Sequence, residues 1–209
     1  MALRLAASYR LWLRTSGVTV AAPVKGIPRN RTCHLGFIPE ASSSDFSAAL
    51  IRVTRTDGPA TRRFALIHPA RKDPPPTLAR YDAYATEHGW HRRQWFPVFT
   101  EDHDVPLRLT AGIALYEWTP DGGFPAVEQL TFDTPLLSIP RGIDRREALT
   151  RLLLRTCTAP GQGVAEFFST DHRFVDQCLS AGRYPILVTA DEDAFVRIHQ
   201  SLNTTPLLL

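Results

Sequence analysis

The chain has 209 residues, of which 44% are hydrophobic and 22% charged; it carries 24 basic and 21 acidic side chains, 17 prolines and three cysteines. This composition excludes wholesale disorder and a disulfide-stapled build, and the length suits one domain with an extension better than two independent cores. No stretch approaches the roughly 18 consecutive apolar residues that span a bilayer as a helix.

The first 39 residues contain Arg4, Arg10, Arg14, Lys25, Arg29 and Arg31 and no acid, whereas the acids gather beyond residue 100. Basic character therefore sits at the N-terminus and is not spread over a general polyanion-binding surface. Leu3–Gly17 reads in two ways. Wound as a helix it sets Arg4, Arg10 and Arg14 against Leu5, Ala6, Tyr9, Trp12 and Leu13; stretched as a strand it alternates equally well. An acid-free, arginine-rich amphipathic start resembles a mitochondrial presequence, with a processing site expected between Thr15 and Ser16. The competing readings are a first structural element and a basic arm that contacts a partner. Residues 1–32 are accordingly expected to be a basic segment and linker, and residues 33–209 a single domain.

Within that domain, two β-favouring runs, Ala49–Thr56 and Arg62–His68, flank Asp57-Gly58-Pro59 and predict a hairpin. A helix is expected from Pro76 or Thr77 to about His88, stopped by Gly89. WHRRQWFPVFT reads as a strand that Pro97 restricts to an edge or a bulge. A second hairpin is expected from Leu107–Trp118 and Ala126–Phe132, turning at Pro120–Gly123. Beyond Pro140 three helices follow: one capped by Asp144 with Leu149, Leu152 and Leu153 inward, one over 171–181 closed by Gly182, and one over 191–202 with acids in its first turn. Tyr184–Thr189 reads as a short buried strand, and GQG at 161–163 as the end of a helix. Strands first and helices later predict an α+β fold, a mostly antiparallel sheet built from two hairpins with helices concentrated in the C-terminal third.

No motif identifies a chemistry. Glu87, His88, His91, Glu101, Asp102, His103 and Asp104 form the densest set of ligand-type residues, with Glu87, His88, His91 and His103 the first candidates, but no third ligand falls at a characteristic metal spacing, and no cofactor is expected. Cys157 or Cys178 could pair with His172 as a nucleophile, yet the helical spacing is poor and burial as small hydrophobes is the better account. Glu117 with Asp133 or Glu128 could do acid/base work only if buried together. Arg62, Arg63, Trp90, Arg92, Arg93 and Trp95 combine guanidinium groups with aromatic rings, a pairing suited to protein interfaces and, less strongly, to nucleic acid. These readings favour a non-catalytic accessory or interaction subunit with a protein partner, in mitochondria. The alternative is a small bacterial cytoplasmic enzyme whose site is assembled from scattered His, Asp and Glu residues.

Overall fold

The computed structural model describes residues 10–15, 18–22, 33–38, 46–54, 60–69, 76–101, 108–120, 137–139, 142–167, 173–189, 193, 196–198 and 200. Among these, nine strands and four helices follow one another in the order β1 (Arg10–Thr15), β2 (Val18–Ala22), β3 (Cys33–Ile38), α1 (Phe46–Thr54), β4 (Arg62–Pro69), α2 (Leu78–Glu87), β5 (Trp90–Thr100), β6 (Arg108–Trp118), β7 (Leu137–Ile139), α3 (Arg145–Cys157), β8 (Gly163–Phe167), α4 (Arg173–Ser180) and β9 (Tyr184–Thr189).

The strands form one mixed sheet in the order β2-β1-β9-β8-β3-β4-β6-β5-β7. Its centre is parallel: β1 with β9, β9 with β8, β8 with β3, and β3 with β4. Antiparallel pairing is confined to β6, which lies between β4 and β5, and to β1 with β2. Helices cover both faces. On one, Phe46, Leu50 and Val53 of α1 and Leu78 and Ala85 of α2 pack against Phe64, Leu66, Ala165 and Phe167. On the other, Leu149, Leu153 and Leu154 of α3, Phe174, Val175 and Cys178 of α4, and Ile198 pack against Leu35, Phe37, Ala65, Val164 and Leu187.

This architecture corrects the expected antiparallel, two-hairpin α+β fold. The first error is at α1. Phe46, Ala49, Leu50 and Val53 are each at most 2% exposed, and their spacing of three, one and three residues is a helical stripe. The β-branched residues in the same run suggest a strand to a reader of the sequence alone. Asp57-Gly58-Pro59 lies outside the described residues, and the elements on either side, a helix and a strand that pairs in parallel with β3, are not the two strands of a hairpin. Gly36 on β3 lets α1 settle on the sheet: a Cβ there would lie 2.5 Å from Val53 Cγ2 and 2.9 Å from the Phe64 ring.

The second error is at β8. All five residues of GVAEF are buried, because a strand with helices on both faces loses the in/out alternation by which strands are read. The preceding Gly161, at φ 82°, turns the chain between α3 and β8 and does not end a helix. Its N–H donates to Gly182 O at 2.7 Å, which brings the α3–β8 and α4–β9 turns together.

Other expectations meet the structure locally. Asp144 Oδ1 accepts from Glu147 N at 3.0 Å at the start of α3, and Gly89 and Gly182 follow α2 and α4 with positive φ. β5 is bulged between Arg92 and Gln94 and again between Val98 and Phe99, as its proline suggests; β7 pairs with it only at Val98–Thr100, so among the described residues Trp90–Pro97 is paired in the sheet with β6 alone. The expected strand Ala126–Phe132 lies outside the described residues. Arg10–Thr15, read as part of a removable address, pairs with β2 on one side and β9 on the other. A strand held in the sheet removes the ground for the mitochondrial assignment. No helix among the described residues is long and apolar enough to cross a membrane.

Candidate functional site

Strand order fixes where a ligand can enter. The chain leaves β3 through α1, on one face, for β4; it leaves β8 through α4, on the opposite face, for β9. β3 and β8 are neighbours, so the two connections diverge from adjacent carboxyl ends. In open α/β sheets such a switch point opens the crevice in which ligands bind.

Glu166, the penultimate residue of β8, lies at this crevice opposite Phe37 of β3 and Leu187 of β9. It is 0% exposed. From the first turn of α3, Arg146 reaches it with two hydrogen bonds, Nε to Oε1 at 3.1 Å and Nη2 to Oε2 at 2.7 Å. A carboxylate sealed from water persists in its charged form only with such a partner, and the planar guanidinium fork meets both oxygens at once. Arg146 itself remains 29% exposed, so the pair is buried at the acid and wet at the base. The two residues line a small cleft between α3 and α4 with Thr150, Arg173, Phe174 and Gln177. Gln177 Oε1 is buried there with no hydrogen-bond donor among the described residues. The cleft therefore offers two kinds of group: oxygen acceptors suited to a cation, and arginines suited to an anion.

The six arginine and tryptophan candidates all make contacts within the fold. Trp90 is fully buried, its Nε1 donating to Thr54 Oγ1 at 2.8 Å. Arg62, 3% exposed, donates to the carbonyls of Val53 and Thr54 at the end of α1 and stacks 4.5 Å over Trp118. Arg63 and Arg93 flank Glu117 at 3.8 and 3.7 Å, and Arg63 also donates to Cys157 O. Arg92 holds Asp82 through Nε at 3.0 Å, and Asp82 accepts from the Tyr116 hydroxyl. Burial and the Asp82 carboxylate raise the Tyr116 pKa well above its ordinary value. The Trp95 ring lies over Gly112 and 5.6 Å from His68. Arg62, Arg63, Trp90, Arg92 and Arg93 sit at the amino ends of β4 and β5, at the opposite end of the sheet from the crevice.

Among the histidines, His88 Nδ1 lies 3.0 Å from Tyr84 O and its ring stacks on Tyr84 at 4.4 Å. His91 faces Glu117 across β5 and β6, and His103 and His172 lie outside the described residues. Among the described residues no three His, Cys, Asp or Glu side chains converge to hold a metal. Burial pushes Cys33 and Cys157 up to about 12 and raises Cys178 well above the ordinary thiol value, so all three are protonated core thiols with little nucleophilic character. Sequence reading missed Glu166 and Arg146. The available signal was a lone acid inside an apolar five-residue run, GVAEF, which requires a cation from elsewhere.

No family model matches the chain, and no curated protein matches it either. Solved structures do, and they share its fold. M1.HpyAVI in its SAM complex superposes with a TM-score of 0.58 at 12% identity, covering 83% of this chain and 90% of that one. TTHA0409 of Thermus thermophilus, assigned to the DNA modification methylases, gives a TM-score of 0.55 at 15% identity over 85% of this chain and 88% of that one. The PvuII DNA methyltransferase, cytosine-N4-specific, gives 0.56 at 10% identity over 87% and 82%. The likeness is one of fold, a Rossmann-like methyltransferase fold. It overturns the reading as a non-catalytic accessory subunit, which had rested on missing motifs, and it lends no support to a protein partner or to mitochondria.

Proposed function

We propose that the chain is an enzyme that binds S-adenosyl-L-methionine in the crevice at the carboxyl ends of β3 and β8 and methylates DNA. The observation that carries this reading is the buried acid and arginine cleft at the switch point of a sheet shared with DNA methyltransferases, one of which forms a SAM complex.

The donor set fits the cofactor. Its cationic end suits Glu166 and Gln177 Oε1, and its carboxylate suits Arg173 at the N-terminus of α4, where the helix dipole adds to the guanidinium charge. Asp191 and Glu192, immediately after β9, fall in sequence where an acid meets ribose hydroxyls in βαβ nucleoside sites. One feature departs from such sites: the five residues after β8, Phe168-Ser169-Thr170-Asp171-His172, include no glycine. When bound, the cofactor supplies an electrophilic methyl group.

Calorimetric titration with S-adenosyl-L-methionine, together with transfer of its labelled methyl group to duplex DNA, tests the reading. Saturable binding that weakens in Asp191→Asn, with label in the DNA, is expected; neither binding nor transfer would refute it. Of the six candidates, Trp90 and Arg62 are buried, and Arg63, Arg92, Arg93 and Trp95, which keep exposed surface, form our proposed partner-contact set. Reversal of Arg92 and Arg93 to Glu should weaken DNA binding and flatten its salt dependence.

A further inference from the structure

We infer that the Arg146–Glu166 ion pair is an internal latch: the Arg146 guanidinium occupies the seat on Glu166 that the cationic end of a nucleoside ligand takes, and binding requires it to leave. The inference rests on the reading of the crevice as a nucleoside site.

Three observations carry it. Glu166 is fully buried at the switch point, with both oxygens engaged by one side chain. That side chain comes from the first turn of a different element, α3, and is 29% exposed. The exposed part of the arginine gives the guanidinium a path to solvent, so it can leave Glu166 without crossing the core. Finally, Gln177 Oε1 lies buried in the same cleft without a donor among the described residues, so Arg146 leaves part of the local acceptor capacity unused. An ammonium with three N–H donors can engage Glu166 and Gln177 together, which Arg146 does not do in this structure. Ligand and arginine thus compete for one carboxylate, and the closed pair reduces apparent affinity by the fraction of molecules in which it is shut.

The experiment titrates the full chain with S-adenosyl-L-methionine, which carries an ammonium and a sulfonium, and with 5′-deoxy-5′-methylthioadenosine, which has the same nucleoside and no cation. In the native protein S-adenosyl-L-methionine should gain over methylthioadenosine only what its carboxylate finds at Arg173, because Glu166 is already neutralised, so the test reads the change in the ratio of the two affinities. In Arg146→Gln the cationic ligand should tighten by about ten-fold or more, the scale of a released charge-assisted bidentate contact, with methylthioadenosine unchanged. Arg146→Lys, which keeps a cation near Glu166 and protects folding, should give an intermediate gain. Glu166→Gln should show no gain.

If Arg146→Gln and Arg146→Lys bind the cationic ligand no better than the native protein while methylthioadenosine still binds, the latch is wrong and the nucleoside reading stands. If neither compound binds any form of the protein, the nucleoside reading fails and the latch with it.

Discussion

Removing the Arg146 side chain isolates the energetics of the pair. Glu166 is 0% exposed and Arg146 29%, so Arg146→Met leaves a sealed carboxylate without its cation. Such a loss costs about 3–5 kcal/mol, and the partial exposure of the arginine argues for the lower end, about 3 kcal/mol. For a chain of this length that lowers the thermal midpoint by roughly 6–12 °C. Glu166→Gln alone keeps the shape and one acceptor and should cost about 1–2 kcal/mol. The double variant carries neither charge, so it should be less destabilised than the sum of the singles by about 2 kcal/mol. Urea unfolding followed by far-UV circular dichroism at neutral pH measures all four proteins. Additivity within about 0.5 kcal/mol would show that the two groups are not coupled and would refute the burial argument.

Three further outcomes follow from other parts of the fold. Cys33 and Cys157 are pushed up to about 12 from 9.0, chiefly by burial; a folded pKa above the unfolded one contributes stability below about pH 9 that is lost as the pH climbs toward 12. Thiol titration at pH 8 should therefore detect almost no reactive cysteine in native protein and three after denaturation, and fast native labelling would contradict that burial. Gly112→Ala would place a Cβ 2.2 Å from the Trp95 ring, so a loss of about 1–3 kcal/mol and a shift in tryptophan emission are expected; unchanged emission and stability would show that the ring moves aside freely. Deleting residues 1–32 removes β1 and β2 and uncovers the β9 edge, so the shortened chain should self-associate in light scattering where the full chain does not. A monodisperse product would show that the edge is protected in some other way.

Much of the local structure was legible. Asp144 followed by Leu149, Leu152 and Leu153 marks α3 because a cap and a 3.6-residue stripe are properties of a few neighbouring residues, although Leu154 is buried in the structure where the stripe predicts Leu152. Gly89 and Gly182 mark helix ends for the same reason, as residues that tolerate positive φ. Strands with an exposed side are also legible, and Trp90–Thr100 carries the bulging that its proline suggests. What failed at this level was the choice between periods in Phe46–Thr54, where a short apolar run satisfies both patterns, and the recognition of Gly163–Phe167, which is buried on both faces and has no pattern to show.

The chain by itself determined where most helices and strands lie. It did not determine which strands pair or which arginine answers Glu166. β3 and β8 are hydrogen-bonded through residues more than a hundred positions apart, and Arg146 meets Glu166 only because α3 crosses the sheet beside the strand that follows it. Helical and turn signals come from interactions within a few residues, whereas parallel pairing is chosen by how crossover helices bury their apolar faces. The crevice at the carboxyl ends of β3 and β8 is a product of that packing, so it became visible only in the tertiary structure.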